Sequence, residues 1–366
     1  MKFSINKTEI QNALSIVSKG ISTRSTLPVL SGILIDARGD ELTFQATDLE
    51  LSIQYTVVAL VEEEGSIVVP GKLFTDIVKS LPDVAVNIEG DDEHATITCD
   101  SSTFTIKTLS ADDFPSFPHV DVSQKIEIPF NNFSSMARRV CRVVSKDESR
   151  AILTGVLLTR EEGMLRMVAT DSYRLAVTDM PAGNNETEDF KAVISGGFLS
   201  DIASLPKTEE PVTIALAENQ IVVTYQNTVF INRRIEGNFP NYKQLIPSSC
   251  ALQVKMETKQ LASAVKRAAL LVSPGSPVKF SVNPEAQTVT LSANTQDVGS
   301  SREVLSCDGQ GEAMEIAFNY AYVSDGLASV ESDMVYLETQ SSNKPGIFKA
   351  DGAESYLYLI MPVRIS

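Results

Sequence analysis

Ala46-Thr47-Asp48 recurs as Ala169-Thr170-Asp171, 123 positions later. One tripeptide carries no weight alone, but longer matches follow at almost the same spacing. "VLSGIL" (29–34) returns as "ILTGVL" (152–157) at an offset of 123, and "FTDIVKSLP" (74–82) returns as "FLSDIASLP" (198–206) at 124. The Phe-Pro of "DDFPSFP" (112–118) reappears in "GNFPNYK" (237–243) at 125. Four matches in order, at near-constant offset, mark a duplicated unit. A third copy is fainter but in register. Ala293 of "LSANTQD" lies 124 residues beyond Ala169, and "LQVKMETKQLASAVKRAALLVS" (252–273) repeats the strand-then-helix layout of residues 1–19 and 126–146. One third of 366 residues is 122, close to the observed spacing of 123–125. That period is too long for a solenoid unit, so each copy is expected to be a whole domain: 1–124, 125–248 and 249–366.

Within each domain the layout repeats once more. Residues 2–17 alternate into a helix with Ile10, Leu14 and Val17 on one face, and residues 66–81 do the same with Leu73, Ile77 and Leu81. Such spacing gives a helix one apolar stripe and one wet face. Between the helices lie segments of period two, "ELTFQATDLELSIQY" and "STFTIKTL", which read as half-buried strands. The expected fold class is α+β: three similar domains, each with two helices packed on antiparallel sheets whose edges can pair with the neighbouring domain.

Net charge is −16, which taken as a sum argues against a nucleic-acid partner. Its distribution says otherwise. The six expected helices (7–19, 72–80, 131–146, 197–205, 257–272 and 319–331) hold eleven basic and six acidic residues, or +5, leaving −21 for the remainder. Helix propensity favours Glu as readily as Lys or Arg, so propensity does not explain the bias. In "ARRVCRVVSKDESR" (137–150), Arg138 and Arg142 lie one turn apart, opposite Met136, Val140 and Val144. No apolar run approaches a membrane span and no apolar leader precedes the first strand, so a cytoplasmic location is expected. Cys99, Cys141, Cys250 and Cys307 form no CxxC pair and read as reduced, buried thiols.

Little in the chain suggests catalysis. Asp91, Asp92, Glu93 and His94 could hold a metal, but "EGDDEH" reads more simply as a solvated turn between two strands. His119, the other histidine, falls in an expected linker. Phosphate-loop, nucleophile-elbow and zinc-protease patterns are missing from the sequence. Asp48 and Asp171 recur without a partnered base, which points to hydrogen bonding at a strand end. No cofactor, metal or enzymatic activity is expected.

The segments "RSTLPVLSGILI" (24–35), "ATDLEL" (46–51), "TLSADDFPSFP" (108–118), "VATDSYRLAV" (168–177), "NFPNYKQLIP" (238–247) and the terminal "YLIMPVRIS" resemble the bacterial sliding clamp family, the beta subunits of the replicative DNA polymerase, over essentially the whole chain. The resemblance implies a DNA clamp fold and a head-to-tail homodimer, two chains forming a closed six-domain ring around double-stranded DNA without sequence specificity. It implies a processivity factor that tethers the polymerase alpha subunit, the clamp loader delta subunit and other clamp-motif proteins. By resemblance, Arg24, Lys72, Arg138, Lys146 and Arg150 face DNA, Arg24 and Arg150 foremost, although each could also be a solvated surface cation. Phe104 and Ile106 would meet Leu270 and Leu271 at the dimer edge. Positions matching the family's partner-peptide cleft are Leu153, Thr170, Ser172, Tyr173, Arg174, Leu175, Pro240, Leu245, Ile360, Met361, Pro362 and Arg364, with Arg174 and Arg364 as polar hooks and Leu153, Leu175 and Ile360 open to a plain core reading. A repeat-built protein scaffold with no DNA role, or a metal-dependent hydrolase using residues 91–94, are the alternatives.

Overall fold

The computed structural model describes residues 1–22, 26–122, 124–183, 189–272, 277–295, 298–352 and 355–364. The first repeat contains β1 (Lys2–Asn6), α1 (Lys7–Val17), β2 (Gly32–Arg38), β3 (Glu41–Thr47), β4 (Leu51–Val58), β5 (Leu60–Glu63), β6 (Gly65–Pro70), α2 (Gly71–Ser80), β7 (Ala85–Gly90), β8 (His94–Cys99) and β9 (Ser102–Lys107). The second contains β10 (Gln124–Pro129), α3 (Phe130–Cys141), β11 (Gly155–Glu161), β12 (Met164–Thr170), β13 (Arg174–Pro181), β14 (Phe190–Ser195), α4 (Gly196–Ala203), β15 (Pro211–Leu216), β16 (Gln220–Tyr225) and β17 (Thr228–Arg233). The third contains β18 (Leu252–Glu257), α5 (Thr258–Ala269), β19 (Pro277–Asn283), β20 (Thr288–Thr295), β21 (Gly299–Ser306), β22 (Asp308–Gly311), β23 (Met314–Asn319), α6 (Tyr320–Leu327), β24 (Met334–Thr339), β25 (Gly346–Ala350) and β26 (Tyr356–Ile360). Apart from the short β5 and β22, one module runs through the chain: a strand, a helix and three strands, twice per repeat.

Each helix exists because one stripe of its sequence is apolar. Ile10, Ala13, Leu14 and Val17 are buried on α1, and Leu261, Ala264, Val265 and Ala268 on α5. Asn6 caps α1 by accepting the Thr8 N–H at 2.8 Å, and Asn319 caps α6 through Ala321 at 2.9 Å. On α2 the buried stripe is Phe74, Ile77 and Val78, continued by Leu81. Leu73 was expected on that stripe but is 49% exposed, because it stands one residue, about 100°, away from it.

The strands pair by a consistent rule. Within each half-repeat, three successive strands form an antiparallel meander, and the strand that opens one half joins the meander of the other. Thus β1 pairs β7 while β6 pairs β2, and likewise β10 pairs β15 while β14 pairs β11. Meanders then join across repeats. β4 pairs β17, with Leu51 opposite Asn232, and β13 pairs β26, with Arg174 opposite Ile360. The results are an eight-stranded sheet ordered β10-β15-β16-β17-β4-β3-β2-β6 and a nine-stranded sheet ordered β14-β11-β12-β13-β26-β25-β24-β18-β22. A five-stranded sheet ending in β9 and a four-stranded sheet ending in β21 complete the set. By contacts the chain divides into two compact units, Met1–Phe133 with Ser204–Arg234, and Ser134–Ala203 with Ile235–Ser366. The middle repeat is therefore divided between them, β10 and β15–β17 falling in the first and β11–β14 with α4 in the second.

Cys99 and Cys307 are buried and Cys141 is half-buried, its thiol pushed up to about 12 by burial. Cys250 departs from the expectation and is exposed, since it lies in the connector leading into β18 rather than in an element.

Candidate protein-interaction cleft

The recurring Thr-Asp is a turn. Asp48 Oδ1 accepts the N–H groups of Glu50 and Leu51 at 3.0 and 2.7 Å, and Asp171 Oδ1 accepts those of Tyr173 and Arg174 at 2.9 and 3.0 Å. Thr47 and Thr170 each accept the N–H two residues on, at 3.0 and 3.2 Å. The residue after each Asp is left-handed: Leu49 has φ 76° and Ser172 φ 81°. Both side chains bend the backbone from a strand end, as the sequence pattern implies.

In the second unit this turn stands where β13 meets β26. Tyr173 is 59% exposed, and its carbonyl accepts the Met361 N–H at 2.9 Å. Met361 is itself 43% exposed. The connector after β17 packs on the sheet face that carries Leu175, Val177 and Leu359. Its Phe239 and Tyr242 pack into a core with Leu157, Val168, Leu175, Val177, Val193, Ile347 and Leu359. Arg166 fixes the connector: it forks onto Asp179 at 2.6 and 2.9 Å and donates to the Tyr242 hydroxyl at 3.2 Å. Burying Phe239 and Tyr242 leaves Pro240 and Leu245 exposed.

The twelve cleft positions therefore divide. Ser172, Tyr173, Pro240, Leu245, Met361 and Arg364 are exposed and Pro362 is half-buried. Leu153, Leu175 and Ile360 are buried, the reading that the sequence left open for them. Thr170 is buried too, its hydroxyl donating to the Arg174 carbonyl at 2.8 Å.

Arg174 is not a hook held out to solvent. Only 9% exposed, it donates from Nε to Asp171 Oδ2 at 2.9 Å and from Nη1 to Asp325 Oδ2 at 2.6 Å and the Tyr358 hydroxyl at 3.2 Å. Its Nη2 reaches the Arg142 carbonyl at 2.9 Å, and its guanidinium carbon lies 4.4 Å from the Tyr322 ring centre. Burial alone would lower its pKa; the Tyr358 and Asp325 contacts outweigh burial and raise it. Burial likewise holds the Tyr358 phenol well above its ordinary range.

Among the candidate DNA-facing residues, Arg24 lies outside the described residues. Lys72, on α2, and Lys146, beyond α3, are exposed. Arg138 is exposed but donates to the Ala203 carbonyl at 2.8 Å, at the last residue of α4. Arg150 joins the cleft turn, bonding Asp147 at 2.8 Å and the Ser172 hydroxyl at 3.0 Å. At the edges, Phe104 is 36% exposed on β9 and Ile106 is buried, while Leu270 is 81% exposed and Leu271 half-buried past α5.

Residues absent from the sequence reading include Tyr322, Asp325 and Tyr358, which hold Arg174, and Val304, exposed on edge strand β21. The Arg174 partners lie 151 and 184 residues away, beyond any local pattern. A separate open cleft of about 560 Å³, lined by Val177, Tyr242, Ile246 and Leu357 among others, opens farther along β13 and includes none of the twelve positions. In the 91–94 turn, Asp91 Oδ1 accepts the Glu93 and His94 N–H groups at 2.9 Å each, and the His94 and Glu93 bonds hold its carboxyl below the ordinary range. Among the described residues no three His, Cys, Asp or Glu side chains converge as a metal site would require.

Three repeats of paired sheets and amphipathic helices, presenting an apolar lip, define a repeat-built binding scaffold. Comparison with known proteins makes this specific. Family descriptions of the DNA polymerase III beta subunit match in order, the N-terminal domain at residues 1–118, the central domain at 127–241 and the C-terminal domain at 243–364. The beta sliding clamp of Synechocystis sp. is 33% identical over 390 aligned residues and that of Bacillus subtilis 31% over 377, each covering all of both chains. The crystal structure of the DNA polymerase sliding clamp from Bacillus subtilis matches with a TM-score of 0.95 at 31% identity, again over all of both chains. The chain belongs to the DNA polymerase III beta subunit family, the sliding clamps, which are processivity factors of DNA polymerase and not enzymes.

Proposed function

We propose that the chain closes head to tail with a second copy into a six-domain ring around duplex DNA and tethers DNA polymerase there. The strand-pairing rule carries this reading. The last meander strand of a first half pairs with the last meander strand of the next repeat's second half: β4 with β17, then β13 with β26. Continuing the rule, β21 of the third repeat needs the counterpart of β17 and β26, which is β9 of a first repeat. Among the described residues, β9 and β21 each end a sheet with no strand paired on the outer side. A heterologous contact that repeats until it closes makes a ring. Exposed Phe104 on β9 and Val304 on β21 supply apolar side chains for it, with Leu270 beside them in the sequence-based reading.

Charge placement supports DNA as the content of the ring. As folded, the six helices carry eight basic and four acidic residues in a chain of net charge −16. A weak, diffuse positive field suits a protein held by topology, because dense phosphate contacts would release many counterions and fasten it in place. Lys72, Arg138 and Lys146 contribute to that field, and Arg24 joins them by family resemblance. Arg150 belongs as much to the cleft. The three repeats act as domains bounded near residues 124 and 248, and the chain works in the cytoplasm. The lip of Tyr173, Pro240, Leu245, Met361, Pro362 and Arg364 receives segments of the polymerase alpha subunit, the clamp loader delta subunit and other clamp-binding proteins.

Primer extension on a singly primed circular template tests the activity. With a clamp loader and ATP present, adding the chain should convert short polymerase products into full circles in one binding event. Product lengths independent of the chain would overturn the reading.

A further inference from the structure

We propose that Arg174 is the positioning residue of this cleft, fixing Tyr173 through Tyr322 as a stationary aromatic platform for an extended partner segment with apolar side chains. The inference rests on the lip between Tyr173 and Met361 being the partner site.

The molecule contains its own control. The first repeat builds the same turn, with the same Asp-to-backbone bonds and the same left-handed third residue, and it has Leu51 where the second has Arg174. Leu51 and Arg174 are equally buried, at 9%. The guanidinium is therefore not needed to form the turn. Burying an arginine is costly unless its donors are satisfied, and four of its five N–H groups are.

What the guanidinium adds is a fixed relation between the turn and α6. Tyr322 and Asp325, one helical turn apart, hold it from that side, by ring face and by carboxylate. The Tyr358 hydroxyl accepts from Arg174 and donates to the Tyr322 carbonyl at 2.8 Å, closing the loop. The Tyr173 ring then lies against Tyr322, centroids 6.4 Å apart and planes 26° from parallel. A backed aromatic ring beside an adaptable methionine binds apolar anchors without first having to be ordered.

The chain has no tryptophan, so Tyr173→Trp gives a single emitter at the site. In that background, Arg174→Leu, the first repeat's own residue, should lower the emission anisotropy and raise acrylamide quenching. In the otherwise native protein the same substitution should weaken binding to the DNA polymerase roughly tenfold or more, mostly through faster dissociation. Arg174→Lys should fall between, since an ammonium cannot reach four acceptors in a plane. Tyr322→Leu should reproduce the loss, and Tyr322→Phe, which keeps the ring, should restore it. A lowered thermal midpoint with unchanged anisotropy and affinity would show a stabilising role only and overturn the proposal. If the native chain fails to bind the polymerase, the cleft reading falls, while the emission of the tryptophan variants still decides whether Arg174 positions residue 173.

Discussion

At the scale of single residues, the two Thr-Asp turns are a matched pair with unequal burdens. Asp48→Ala removes an acceptor for two N–H groups and should cost about 1–2 kcal/mol. Asp171→Ala removes the same bonds and also strips a carboxylate from buried Arg174, so about 2–4 kcal/mol is expected. Urea unfolding of both variants checks the difference. Leu49 tests the left-handed position itself. It is 54% exposed at φ 76°, so Leu49→Gly should stabilise the protein by roughly 0.5–1 kcal/mol, a shift visible in the urea midpoint. The role of Asp48 and Asp171 was legible because it is local: the acceptor and its donors lie within three residues. Arg174 was misread because its partners are fixed by the β13–β26 junction and α6, and no spacing in the sequence reports a junction.

At the scale of elements, periodicity in the first repeat and its layout carried through the others located all six α-helices among the described residues, since each needs only its own stripe. Apart from α2, which ends at Ser80 as expected, their C-terminal ends fell short of the expected limits, as for α3, which stops at Cys141 before Arg142 and Lys146. Which strand edges meet was not readable: Leu270 entered through the family resemblance alone, and exposed Val304 on β21 was not singled out. Links between elements are testable too. Arg267 on α5 forks onto Glu303 of β21 at 3.0 and 2.6 Å, and these bonds hold the Glu303 carboxyl below its ordinary value of 4.5. The link is intact above that value and is lost as pH falls through the depressed one. An NMR titration should show a Glu303 midpoint below 4.5 that returns to the ordinary value in Arg267→Ala. Equal midpoints would mean the fork does not form in solution. Between α3 and α4, the buried Ser134 hydroxyl donates to the Ala203 carbonyl at 2.9 Å beside Arg138. Ser134→Ala should therefore cost about 1 kcal/mol in thermal or urea unfolding.

At the scale of the whole molecule, three repeats give a chain with two equivalent internal junctions, β4 with β17 and β13 with β26, and leave β21 and β9 as the edges the same rule would join. On the proposed reading those edges close a ring, within which an acidic protein whose helices are locally positive can hold DNA without gripping it. The measurement that tests this most directly is retention on nicked circular duplex DNA after loading, followed by cutting the circle. The loaded protein should stay on the intact circle through a wash at raised salt and leave within the time of linearisation. Loss from the intact circle in step with ionic strength, with no further change on cutting, would contradict it.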